Sequence, residues 1–207
     1  MKFKQWFVAF VLVLAVASIS NASVVINFNQ VGNDVVATGS GSINTSALQV
    51  TGGAQVAGML AYWSVFGNEG SAMGIGPRNQ IFSLQYLNMT GPNSFNTQVF
   101  GSTFSASSGT GDRIGLFAGT QTEVLFLDAN YESGALLTTS STWANTTIDA
   151  LYLKPGTYSY TWGSDTNADF LTVNINGPAA VPEPSTYALF SLGLGGLALW
   201  KRRRQKA

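Results

Sequence analysis

KPGTYSYTWGSDTNADFLTVNING, residues 154–177, decides the fold, because a single polar turn separates two stretches of alternating side chains. Pro155-Gly156 opens a turn, after which Tyr158, Tyr160 and Trp162 fall on one face of an extended segment. GSDTNAD, residues 163–169, reverses the chain, and Leu171, Val173 and Ile175 then line one face of the return segment. A period of two is the signature of a strand with one face turned to a core, whereas an amphipathic helix repeats every 3.6 residues. The stretch therefore predicts an antiparallel hairpin.

The same alternation recurs upstream. VVINFNQ, residues 24–30, puts Val24, Ile26 and Phe28 on one face and Val25, Asn27 and Asn29 on the other. DVVATGSGSI (34–43), IFSLQYL (81–87), RIGLFAG (113–119), TEVLFLD (122–128), TIDALYL (147–153), TYSYTW (157–162) and FLTVNI (170–175) read the same way, cut by Gly, Asn, Asp and Ser. About eight to ten short strands at this spacing predict an all-β body, a single β-sandwich of jelly-roll or immunoglobulin-like kind over residues 23–178. No long segment between the two ends carries a helical apolar period.

Composition agrees with that expectation. The chain of 207 residues is 45% hydrophobic and only 10% charged, too apolar for a disordered segment and the right length for one domain with appendages. Its 23 glycines, with many Ser, Thr and Asn, favour strands and turns. There is no Cys and no His, which removes disulfides, Cys/His nucleophile pairs, Ser-His-Asp triads and the usual zinc sites. The expectation is no catalytic residue, no metal and no cofactor.

The formal charge of zero hides a segregation. Basic residues gather at the ends, leaving Arg78, Arg113 and Lys154 in the body against nine acids, a net charge of −6 there. A body of that sign repels a nucleic-acid backbone, so no nucleic-acid partner is expected.

Residues 1–22, MKFKQWFVAFVLVLAVASISNA, read as a secretory signal peptide: Lys2 and Lys4, an apolar stretch from Trp6 to Ile19, then small residues with cleavage after Ala22. Fourteen apolar residues are short for a permanent span. At the other end, residues 179–186 form a linker and motif, 187–200 a membrane helix and 201–207 a basic tail. The helix, Tyr187 to Trp200, is about 21 Å long against a hydrocarbon core of about 30 Å. Lys201, Arg202, Arg203 and Arg204 would stop transfer and stay cytoplasmic, placing the body across the inner membrane. Pro182 and Pro184 hold Glu183 extended. Such a strip suits a processing enzyme, or serves as a stiff spacer.

Pro182-Glu183-Pro184, followed by Ser185, LGLGGLALW and the KRRR cluster, resembles the PEP-CTERM sorting domain of Gram-negative bacteria, over residues 181–207. The resemblance implies sorting by an exosortase, a membrane enzyme that cleaves near the motif, in bacteria that make exopolysaccharide. It also implies a transient membrane anchor with Pro182, Glu183 and Pro184 as recognition residues, and a final location at the cell surface or outside. NDVVATGSGSINTSAL, GPNSF, SASSGTGDRIGLF, STWANTTIDALYLKPGTYSYTWG and ADFLTVNI are similar to the body of a recurrent group of exported PEP-CTERM proteins, which carries no established activity. The expected role is a structural or adhesive surface or matrix component, non-enzymatic; the alternative is an exopolysaccharide-binding module.

Three chemistries remain to be weighed in the body. Asp165, Asn167 and Asp169 have the alternate spacing of a calcium loop, but Phe170 stands where the EF-hand glycine belongs and Asn176 where the bidentate Glu belongs, so a polar hairpin turn is expected. Tyr62, Trp63, Tyr86, Tyr131, Trp143, Tyr158, Tyr160 and Trp162 supply either a stacking platform for sugar rings or the sandwich core. A glycosidase needs two facing carboxylates, and Asp112 beside Arg113 reads instead as a paired surface acid.

Overall fold

Val24, Ile26 and Phe28 are fully buried and the residues between them half-buried, the pattern that one strand in a two-layer body must have. The computed structural model describes residues 23–56, 59–65, 68–78, 81–97 and 101–176. Among them run strands β1 (Ser23–Val31), β2 (Asp34–Ser42), β3 (Gln49–Val56), β4 (Met59–Val65), β5 (Asn68–Ile75), β6 (Ile81–Leu87) and β7 (Ser102–Ser105). β8 (Ser108–Gly111), β9 (Ile114–Gly119), β10 (Glu123–Leu127), β11 (Leu136–Trp143), β12 (Gly156–Trp162) and β13 (Asp169–Ile175) complete the set. The expected hairpin is present as β12 and β13, in register from Gly156 opposite Ile175 to Trp162 opposite Asp169, with a short 3-10 turn at Asp165–Asn167.

Two sheets result. One has six strands in the order β12-β13-β1-β2-β11-β8, the other seven in the order β3-β6-β10-β9-β5-β4-β7. Every pairing is antiparallel except β1 with β13, which run side by side in parallel with Ser23 opposite Phe170 and Phe28 opposite Ile175. Because that pair is parallel, Ser23 and Asn176 leave the sheet at opposite ends. Inward side chains of both sheets, among them Phe28, Val173 and Tyr160 from one and Met73, Ile114 and Leu125 from the other, form one core. The body is thus all-β and two-layered. A second, smaller apolar cluster of Ala72, Phe117, Val124 and Phe126 lies on the other face of the seven-stranded sheet, which makes β9 and the run Val124–Leu127 buried on both sides.

Several buried polar groups are met by specific partners, as a dry core favours, while the Thr139 and Tyr160 hydroxyls are buried without one among the described residues. The indole N–H of Trp143 donates to the Phe104 carbonyl at 3.2 Å, that of Trp162 to the Asn44 carbonyl at 2.8 Å, and the Tyr158 hydroxyl to the Lys154 carbonyl at 2.7 Å. The Trp143–Phe104 bond joins β11 to β7 across the layers, and a second tie lies at Gly76: the Ser141 hydroxyl on β11 accepts the Gly76 N–H at 3.0 Å and donates to the Gly76 carbonyl at 3.2 Å. Gly109 on β8 lies over the same carbonyl, where a Cβ would come within 2.0 Å of the Gly76 oxygen, so only glycine lets the layers close there. Ser141→Ala strips two buried backbone groups of their partner and is expected to cost about 1–3 kcal/mol. A urea midpoint equal to the parent's would show that this corner does not hold the layers.

One expected strand is absent. TIDALYL folds as a turn: Leu151 N–H donates to Thr147 C=O at 3.0 Å and Leu153 N–H to Ile148 C=O at 3.1 Å, while the Thr147 hydroxyl accepts the Ala150 N–H at 3.1 Å. The hydroxyl offers the backbone a local partner in place of a ladder, and Ile148 and Leu151 are buried three residues apart. The expected signal peptide, residues 1–22, and the expected tail, 179–207, lie outside the described residues. Among the described residues no helix is long and apolar enough to cross a membrane, and the expected helix over 187–200 is not among them.

Candidate functional site

The expected sorting residues, Ala22, Pro182, Glu183, Pro184, Lys201, Arg202, Arg203 and Arg204, all lie outside the described residues. What the structure describes is the body that these residues bracket in the sequence. Ser23, directly after the expected cleavage site, already belongs to β1, and β13 ends at Ile175, just before the proline-bearing linker.

Four carboxylates of the body, Asp34, Asp112, Asp128 and Asp169, are engaged by structural partners. Asp112, Arg113, Asp128, Tyr131, Glu132 and Leu136 line a cavity of about 300 Å³ between the turns. Within it the Arg113 guanidinium pairs with Asp128, and Asp112 Oδ2 accepts the Thr138 N–H at 2.7 Å. The Tyr131 hydroxyl accepts the Ile43 N–H at 2.8 Å and donates to the Ala135 carbonyl at 2.7 Å, with burial pushing its pKa up. These bonds staple the β10–β11 connection onto the end of β2. Glu132, exposed at the same cavity, is its remaining charged side chain among the described residues.

The Asp165, Asn167, Asp169 set is divided. Asp169 is buried; its two oxygens accept the Asn44 N–H and the Phe170 N–H, each at 2.7 Å. Burial raises its pKa and the two backbone bonds act against the rise. Asp165 and Asn167 are exposed on the turn. Asp169 thus anchors the loop after β2 to the β12–β13 hairpin. Among the described residues no group of three metal-ligating side chains is present.

The aromatic residues take the core side. Tyr86, Trp143, Tyr158, Tyr160 and Trp162 are buried in the shared core, so none of these five offers a free ring face to a sugar, while Tyr131 is half-buried, packed against the core at the cavity. The side chains of Tyr62 and Trp63 lie outside the described ones.

Alternation that drives the aromatics inward turns Ser, Thr and Asn outward across the whole six-stranded sheet. The register aligns Thr157, Asn174, Asn27, Thr38, Ser140 and Thr110 in one row running from one edge strand to the other. Its members bond to one another: the Thr157 hydroxyl donates to Asn174 Oδ1 at 2.9 Å, Asn174 Nδ2 to Asn27 Oδ1 at 3.0 Å, and the Thr110 and Ser140 hydroxyls share a bond of 3.0 Å. Asn176 Nδ2 repeats the motif in the next row, donating to Asn29 Oδ1 at 2.7 Å. Sequence reasoning missed this face because it looked for ring systems; the signal was the uncharged alternate positions of each strand.

No curated protein and no solved structure matches the chain. Residues 180–204 match the family model of the PEP-CTERM protein-sorting motif, which contains Pro182, Glu183, Pro184 and the basic cluster 201–204. By that match the chain carries a PEP-CTERM protein-sorting motif over residues 180–204, which supports export and sorting by an exosortase.

Proposed function

We propose that the chain is a non-enzymatic component of the cell surface or extracellular matrix of a Gram-negative bacterium. Its body is a jelly-roll or immunoglobulin-like sandwich with a structural or adhesive role, held briefly in the inner membrane by residues 187–200. The observation that carries this reading is the sorting motif at 180–204, which follows the last strand of a complete two-sheet core. The basic residues 201–204 then act as the stop that keeps the tail's end cytoplasmic, and Pro182, Glu183 and Pro184 as the strip the exosortase reads. The structural engagement of Asp112, Arg113, Asp128 and Tyr131 supports a role without catalysis.

Glu183→Ala removes the one charge between the two prolines and leaves the body untouched. The variant is expected to stay with the inner membrane while the parent reaches the outside, read by fractionation and immunoblot. Equal distribution of the two would defeat the sorting role of Glu183. A second reading, a polysaccharide-binding module, is favoured by the uncharged outer face of the six-stranded sheet.

A further inference from the structure

We propose that the outer face of the six-stranded sheet is a docking surface for a neutral, polyhydroxylated polymer, a polysaccharide without acidic groups. The inference rests on the reading of the body as a surface or matrix component and gives that component a partner.

Charge is the first argument. The body carries a net charge of −6, yet no charged side chain lies on this face between Asp34, at the β1–β2 hairpin, and Asp112, beyond the end of β8. Solvated sheet faces normally carry Lys and Glu, which keep them soluble and discourage association. A face kept free of them in an acidic body offers nothing to steer an anionic or cationic partner, and the body's own sign repels an acidic polymer.

Hydrogen-bonding capacity is the second. Ser and Thr hydroxyls and Asn amides each both donate and accept, as sugar hydroxyls do. Lateral bonds hold Thr157, Asn174 and Asn27 at one end of the row and Ser140 and Thr110 at the other before any ligand arrives, so these side chains have little rotamer freedom left to lose on binding. Six strands at the usual spacing make the row about 24 Å long, enough for several sugar units in line. Phe170 and Leu136, 37% and 77% exposed, sit on strands β13 and β11 two rows away, level with Ser23 and Ser42 and beyond the row of Val25 and Ser40. They supply apolar patches suited to the C–H face of a pyranose ring. Val25 and Val36 also face outward, but these apolar side chains are scattered over different rows and strands, so the face lacks the contiguous hydrophobic core that a stable pairing of two copies needs.

The test is retardation of the full-length chain, made cell-free in mild detergent, on gels containing dextran, galactomannan or soluble cellulose derivatives without charge, with alginate as the acidic control. Binding in this format does not depend on sorting, so its failure is separate from any failure of the Glu183 experiment. Retardation by at least one neutral polymer and none by alginate is expected. Thr38→Lys, at the centre of the row, is expected to weaken it by about tenfold or more, because docking would bury an unpaired charge. Ser40→Lys, one row away on the same strand, keeps the experiment decisive if the first variant misfolds by circular dichroism. Absence of retardation by every neutral polymer overturns the proposal, as does retardation unchanged by both Lys variants. Sedimentation of the parent as a dimer that either variant dissolves would assign the face to a second copy and overturn it equally.

Discussion

Phe28→Ala is expected to lower the unfolding free energy of the body by about 3–5 kcal/mol, the range for a large aromatic removed from a core that cannot collapse. Phe28 is fully buried on β1, the third strand of the six-stranded sheet, and its ring lies 5.9 Å from that of Trp143, tilted by 33°. β13 on one side and β2 on the other hold its backbone in ladders, so the vacated volume has no mobile neighbour to fill it. A domain of this size is stable by about 5–15 kcal/mol, so the loss is a large fraction of the total and the exported yield should fall with it. Val25→Ala, three residues earlier but on the outward face, is expected to cost about 1 kcal/mol or less. Urea unfolding of the pair checks the alternation directly: similar losses from both variants would contradict the assignment of faces on β1.

Where apolar alternation was strong, the sequence and the structure agree. Tyr158, Tyr160, Trp162, Leu171, Val173 and Ile175 are all buried on the faces their spacing assigned them. β11 carries a weaker signal, because two of its inward positions are Thr139 and Ser141, buried polar side chains that break the apolar beat. β3 and β5, QVTGGAQV and NEGSAMGI, are poor in large apolar side chains and rich in glycine, so packing rather than propensity makes them strands. TIDALYL has strand-like composition, but the hydroxyl of Thr147 satisfies the local backbone and the segment closes on itself.

The polar face was half legible. Each strand's outward residues can be read from alternation, but which strands lie side by side cannot. Asn27 and Asn174 are 147 residues apart and meet only because β13 returns parallel to β1. Long-range registers of this kind are set by the whole core, and no local pattern states them. The sorting tail is the reverse case: its proline pair, apolar run and basic cluster are contiguous, so sequence alone was enough to find what the family model matches.

The central claim, that both ends are addresses and the body is what remains, meets its most direct test in the intact mass of the protein recovered outside the cell. Export predicts an N-terminus at Ser23, the first residue of β1. Processing at the motif predicts a C-terminus close to Pro182-Glu183-Pro184, with the apolar run 187–200 and the basic residues 201–204 gone. A single species whose mass corresponds to the body without 1–22 and without 187–207, allowing for any group joined at the new end, is the predicted result. A released protein that still carries Lys201 to Arg204 would contradict it.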